Sequence, residues 1–297
     1  MGNVMHRALE SFAEKVRKNG LNWADLTDEM RNAIADQCLD EITADYGNTV
    51  LKSNARNRYM IERTRRILHR TVWALQKQLQ QGDFQPEGFE ITFGGGRIDR
   101  VDILEEKDRV YVKVIDYKTG NTSFDLVYLF YGLQLQLMIY LDGALQVEKQ
   151  KFPDKEIIPA GVFYYNIKDP LIQEKIDADM ETVSKDLLKS VKMNGLVQAD
   201  PDIVRKMDRS LMSVPAALNK DGNIRKNSSV ADSKQFENLS RFVKGKIEKI
   251  RSDILDGNVQ VSPYELGDKN ACTYCPYSSV CGFDRKLPGY DFRKLKR

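Results

Sequence analysis

The 297 residues are 41% hydrophobic and 30% charged, enough apolar material for one large or two small packed domains and too much for a disordered chain. The formal net charge is only +3, so overall charge gives no case for a polyanionic partner, and any such contact has to come from local clusters. No stretch is long and apolar enough to span a bilayer, and the start MGNVMHRALESF lacks the pattern of a secretory signal, so a cytoplasmic protein without a membrane partner is expected.

The first eighty residues read as three amphipathic helices. Leu9, Phe12, Ala13 and Val16 recur at helical spacing, as do Met30, Ile34, Cys38 and Ile42. A third helix over residues 54–80 carries Arg56, Arg58, Arg63, Arg65, Arg66 and Arg70 beside Ile61, Ile67, Leu68 and Leu75. After Gly82 the pattern changes to strands at 88–93, 97–104 and 110–117, followed by an apolar helix within 126–145 and a strand over 160–167. Polar helices are expected near 171–193 and 232–255, with a linker-like stretch at 219–229. This order predicts an α/β fold without internal repeats. Residues 259–297 show little periodicity and are expected to need a ligand or packing to become ordered.

The stretch GRIDRVDILEEKDRVYVKVIDYKTG sets three charges among valines and isoleucines. Side chains alternate along a strand, so Asp99 shares a face with Val101 and Ile103, and Asp116 and Lys118 share one with Val112 and Val114. An even turn around residues 105–108 puts both carboxylates on one face within about 8 Å; an odd turn separates them. Two adjacent carboxylates on a half-buried face cost several kcal/mol unless a cation or hydrogen-bond donors compensate them. A hard divalent cation such as magnesium would do so and would also hold a substrate phosphate, with Lys118 orienting the attacking water. The alternative is a structural ion pair at a strand end, and the residues by themselves leave both open.

Other candidates are equally two-sided. Cys272, Cys275 and Cys281 are spaced C-x2-C-x5-C, which in a reducing cytosol suggests metal ligation but supplies one thiolate too few for a closed tetrahedral site. Cys38 shares an apolar helical stripe with Ile34 and Ile42 and reads as a small buried hydrophobe more than a ligand. The arginines from Arg56 to Arg70, with Tyr59, form either a DNA-contacting surface or a solvated helix face. His6 by itself reads as structural or solvated, Gln136 and Tyr140 as a polar pair one helical turn apart, and Glu90 as an exposed strand residue. The chain has no Gly-x-x-x-x-Gly-Lys-Ser/Thr loop, so no ATPase or helicase activity of its own is expected.

The segments GNVMHRALE, GRIDRVD, VIDYKTG, LFYGLQLQLMIYLDGAL, CTYCPYSSVCGFD and KLPGYDFRKL, in that order over almost the whole chain, resemble the C-terminal nuclease domain of the AddB family, in the RecB-like branch of the PD-(D/E)XK nuclease superfamily. The resemblance implies one nuclease domain over 1–297: a helical part at 1–82, a core with a central mixed sheet at 83–258, and a metal-cluster tail at 259–297. It implies Mg2+ or Mn2+ held by His6, Asp99 and Asp116, with Lys118 as the catalytic lysine. Gln136 and Tyr140 would match the family's Gln-x-x-x-Tyr motif, contacting the DNA backbone or the lysine. Glu90 falls where related sequences often carry a carboxylate.

The resemblance also makes Cys272, Cys275 and Cys281 ligands of a four-iron, four-sulfur (4Fe-4S) cluster, with zinc as a lesser alternative. The family's fourth cysteine precedes the motif ending at His6, whereas here Met1 immediately precedes Gly2. The chain is therefore expected to be an excised domain, unless Cys38 substitutes. Gly94 to Gly96 stand where the family carries a longer segment. The function implied is that of a DNA exonuclease in a helicase-nuclease complex for double-strand break repair by homologous recombination, working on single-stranded DNA beside an AddA-like subunit and cutting the strand that ends 5′. The alternatives are a free-standing CRISPR-associated type of 5′ to 3′ exonuclease and a non-catalytic iron-sulfur module for DNA binding or assembly.

Overall fold

The computed structural model describes residues 2–45, 54–94, 96–170 and 179–297. Three helices come first: α1 (Gly2–Lys18), α2 (Asp28–Asp45) and α3 (Ala55–Gln81). The inward face of α1 buries Val4, Met5, Ala8, Leu9, Phe12 and Val16, as its 3.6-residue spacing requires. Asn54 caps α3 by accepting the N–H of Asn57.

A mixed six-stranded sheet follows: β1 (Gln85–Phe93), β2 (Gly96–Glu105), β3 (Arg109–Lys118), β4 (Glu156–Asn166), β5 (Asn194–Gln198) and β6 (Val230–Ala231), in spatial order β1-β2-β3-β4-β5-β6. The first three strands form an antiparallel meander, β3 and β4 are parallel, β4 and β5 antiparallel, and β5 and β6 parallel. The parallel β3 to β4 connection needs a crossover, supplied by α4 (Leu126–Phe130) and α5 (Gln136–Lys151). The later helices are α6 (Met180–Ser190), α7 (Pro201–Met207) and α8 (Ser233–Leu255). A small sheet in the tail contains β7 (Tyr264–Leu266), β8 (Lys269–Asn270) and β9 (Arg293–Lys294).

Both faces of the large sheet are covered. Tyr111, Ile115, Tyr117, Phe163 and Tyr165 pack with residues of α1, α2, α3 and α7, whereas Val101, Ile103, Val112, Val114 and Tyr164 pack against Leu137, Met138 and Leu141 of α5 and Phe236 and Val243 of α8. Beneath the first layer lies an ion network with no signature in the sequence. Arg100 donates to Asp102 through Nε (2.5 Å) and Nη2 (2.9 Å), and Lys113 Nζ lies 2.8 Å from Asp102 Oδ2. Arg100 sits over the rings of Phe89 (5.5 Å) and Trp23 (5.9 Å), and Lys113 over Phe84 (5.1 Å).

The expected mixed α/β architecture is present, with local differences. The single helix expected within 126–145 is two, because Gly132, at φ +82°, ends α4 in a left-handed turn. Strand β5 and helix α7 are too short to carry a readable period. Of the expected helix at 171–193, residues 171–178 lie outside the described residues, and the remainder starts at Asp179, whose side chain caps α6. Gly95 of the Gly94 to Gly96 run also lies outside them. The tail forms short strands rather than remaining irregular throughout. Among the described residues, no helix is long and apolar enough to cross a membrane.

Candidate active site

The register of the β2–β3 hairpin decides the position of the carboxylates. Glu105 pairs with Val110, so residues 106–109 make an even turn, closed by the Glu106 N–H on the Arg109 carbonyl at 2.8 Å. Extending the Arg100↔Ile115 pairing by one step sets Asp99 opposite Asp116 on the face toward α5. Asp99 Oδ2 accepts the Tyr117 N–H at 2.7 Å. Asp116 Oδ2 lies 2.7 Å from Lys118 Nζ, but not aligned as a hydrogen bond, so this buried oxygen has no hydrogen-bond donor. Burial, then the neighbouring charge of Asp99, pushes Asp116 up to about 6.

Two further groups reach the same place from other elements. His6 on α1 brings Nδ1 to 3.4 Å from Asp99 Oδ2 and 3.7 Å from Glu90 Oε1. Glu90 lies on β1 between the Phe89↔Arg100 and Ile91↔Ile98 pairs, hence across from Asp99, with φ at +51°. That left-handed backbone is strained for a residue other than glycine and turns the carboxylate toward His6 and Arg97, whose Nη1 is 3.3 Å from Glu90 Oε2. Hydrogen bonds to Asp99 and then Glu90 raise His6 to about 10. Burial works against ionised Glu90, but His6 and Arg97 outweigh it and hold its carboxyl below the usual range.

Lys118 is held from several sides. Its Nζ donates to Gln136 Oε1 at 2.8 Å and lies 5.5 Å from the centre of the Tyr164 ring. Gln136 Nε2 in turn donates to the Tyr140 hydroxyl at 2.7 Å, which leaves the hydroxyl proton of Tyr140 available to an acceptor in the cavity. All of the expected site residues of the hairpin and helices, His6, Asp99, Asp116, Lys118, Gln136 and Tyr140, line one open cavity of about 620 Å3, together with Glu90, Arg7, Arg97 and Thr119.

The donor set fits a hard divalent cation. Ligand atoms of His6, Glu90 and Asp99 lie within 4.8 Å of one another, and the buried Asp116 carboxylate, paired in charge with Lys118, lies across from Asp99. Glu90, left undecided by the sequence, joins this group. Arg97 and Tyr164 escape sequence reasoning: Arg97 stands inside GRIDRVD but the motif gives it no role there, and Tyr164 acquires its place only from the Asp116↔Tyr164 parallel pairing.

The cysteines divide in two. Cys272 and Thr273 donate their N–H groups to the Asn270 side chain, and the Cys275 N–H donates to the Cys272 carbonyl, so the first two thiols share one tight turn. Burial, with Cys275 and Cys281 nearby, pushes the Cys272 thiol up. Cys38 is fully buried in the helical layer beside Ser11 and Lys15, as expected of a small hydrophobe. The arginine surface of α3 is reduced by internal pairing. Arg65 binds Asp36 (2.9 Å) and Asp40 (2.7 Å), and both Arg66 and Arg70 bind Asp169 (2.7 Å each), while Arg56, Arg58 and Arg63 are exposed, as is Tyr59.

The chain is similar to known proteins along its whole length. A profile of the PD-(D/E)XK nuclease superfamily matches residues 1–282. The whole chain is also similar to proteins named as the B subunit of an ATP-dependent helicase/deoxyribonuclease: 39% identical to that of Lachnoclostridium phytofermentans, 36% to that of Alkaliphilus metalliredigens and 35% to that of Caldanaerobacter subterraneus subsp. tengcongensis. It spans 27%, 28% and 27% of the length of these relatives, respectively.

Proposed function

Because the chain belongs to the PD-(D/E)XK nuclease superfamily, we propose that its cavity hydrolyses DNA phosphodiester bonds with the help of a divalent cation. The observation that carries this reading is the convergence of His6, Glu90, Asp99, Asp116 and Lys118 on one open cavity, with the Asp116 carboxylate buried beside Lys118.

His6, Asp99 and Asp116 would hold Mg2+ or Mn2+, with Glu90 as a neighbouring carboxylate. Such a cation, when bound, supplies positive charge at the phosphate and makes a coordinated water more acidic. Lys118, fixed by Gln136, orients the attacking water for in-line displacement and faces the negative charge that grows on the phosphate. Tyr140 donates its free proton to a phosphate oxygen. Arg7 and Arg97 at the rim add positive charge where a flanking phosphate would pass.

The wider role rests on the family resemblance of the sequence motifs, with the relatives' names supporting a deoxyribonuclease that works beside a helicase. The substrate is DNA, single-stranded where it enters the cavity, and the reaction is exonucleolytic. The chain serves as the nuclease part of a cytoplasmic bacterial helicase-nuclease assembly with an AddA-like partner, in recombinational repair. Cys272, Cys275 and Cys281 would hold three corners of a 4Fe-4S cluster, and the fourth ligand would be a group other than the buried Cys38.

The test is cleavage of end-labelled single-stranded and duplex DNA in Mg2+, Mn2+ or chelator. Asp116→Ala and Lys118→Ala are each expected to lower the rate at least about 100-fold with the fold preserved by circular dichroism. Full activity in either variant overturns the assignment.

A further inference from the structure

The start of α5 carries Gln136, the residue that holds Lys118, yet it has no cap of its own: Leu135 occupies the N-cap position without a side-chain hydrogen bond. The segment that leads into it, α4 and its caps, is held by the tail. The Tyr131 hydroxyl donates to the Lys296 carbonyl at 3.0 Å and accepts the Lys296 N–H at 3.2 Å. Arg297 Nη2 lies 3.2 Å from Oδ2 of Asp125, the cap of α4, and Lys269 Nζ lies 5.0 Å from the centre of the Tyr128 ring. Between these anchors the loop closes on itself, because Gln134 accepts the Asp125 N–H and donates to the Ser123 carbonyl.

The tail side of this contact is continuous with the cysteine turn. Lys296 lies just beyond β9, β9 pairs with β7, β7 pairs with β8, and β8 ends at Asn270, whose side chain accepts the Cys272 N–H. A hydrogen-bonded path therefore runs from the cysteines to Tyr131 at the end of α4, from which residues 132–135 lead directly into the helix that presents Gln136 and Tyr140.

We propose that Tyr131 is a positioning residue: by clamping the backbone of residue 296 it fixes the start of α5, and through Gln136 it sets Lys118 in the cavity. The site is thereby tied to a docked tail. The activity readout rests on the nuclease reading, so a second readout is needed that does not.

Four variants of the full chain separate the possibilities. Tyr131→Phe removes only the hydroxyl and keeps the ring against Phe130, Lys296→Pro removes the backbone donor, and Lys296→Ala removes the side chain but keeps the backbone; the fourth combines Tyr131→Phe with Lys296→Pro. Amide exchange of Met138 and Ile139, which donate to the Leu135 carbonyl, is expected to speed up roughly three- to ten-fold in the first two variants and to stay unchanged in Lys296→Ala. The combined variant should exchange no faster than Tyr131→Phe alone, because losing the hydroxyl already removes both bonds of the clamp. Cleavage should lose a similar factor in kcat with KM unchanged. Unchanged exchange in Tyr131→Phe and Lys296→Pro overturns the clamp, as does an equal rise across the amides of β3. If the wild type cleaves no DNA while the exchange pattern is as expected, the nuclease reading falls and the clamp stands.

Discussion

At the scale of single residues, His6 separates what a sequence discloses from what only a fold can. Its spacing from Gly2 is visible, but a lone histidine on an amphipathic helix gives no hint that Asp99 and Glu90, more than eighty residues on, will raise it to about 10. In the metal-free protein this raised value means that protonated His6 stabilises the fold below its ordinary pKa near 6.5, and that the contribution disappears as pH climbs through about 10. Metal ligation needs the neutral imidazole, so cation binding and protonation compete. Near pH 8, where Asp116 is already ionised, Mn2+ loading is expected to release about one proton, all of it from His6. Calorimetry in buffers of different ionisation enthalpy measures this directly. A His6→Gln protein should bind more weakly and release none, and equal release from both proteins would remove His6 from the ligand set.

At the scale of elements, strand alternation and an even turn are enough to put Asp99 and Asp116 on one apolar face, and the pairing of β2 with β3 agrees. The approach of α5 to β1 has no such signal. Gly143 on α5 faces Phe93, and a Cβ there would meet the ring at 2.5 Å; Phe93 in turn packs edge-on against Tyr140 at 5.9 Å. Nothing in "YLDGAL" distinguishes this glycine from one merely tolerated in a helix, because the crowding partner belongs to another element. Gly143→Ala should improve helix propensity yet destabilise the protein by about 1 kcal/mol or more, since overcrowding outweighs the propensity gain. Urea unfolding gives the sign, and adding Phe93→Leu should recover most of the loss.

At the scale of the molecule, the two faces of the sheet do different jobs. The face toward α5 carries the hairpin carboxylates, and the opposite face carries Arg100, Asp102 and Lys113, sealed under Trp23, Phe84 and Phe89. Alternation in GRIDRVD already assigns Arg100 and Asp102 to the face opposite Asp99. Their burial is hidden from the sequence, because it depends on aromatic residues drawn from a separate turn and from β1. Removing the shared anion leaves two buried cations without compensation, so Asp102→Asn should cost about 3 kcal/mol or more, measured by denaturant unfolding, even though Asp102 touches nothing in the cavity. A loss below about 1 kcal/mol would mean that water reaches the network.

The order of the chain has a consequence for synthesis. Apart from Tyr164, which packs on Lys118, every side chain assigned a role in the cavity lies between residues 6 and 140, whereas β4, which covers the second edge of β3, begins at Glu156. A ribosome therefore releases the full set of reactive groups while the strand bearing Asp116 and Lys118 is still paired on one side only, with its valines open to the solvent. Until residues 156–166 dock, only the hairpin with β2 holds that strand in register. A chain stopped between these points carries all the chemistry and no finished sheet, which makes it a hazard for aggregation rather than a working active site.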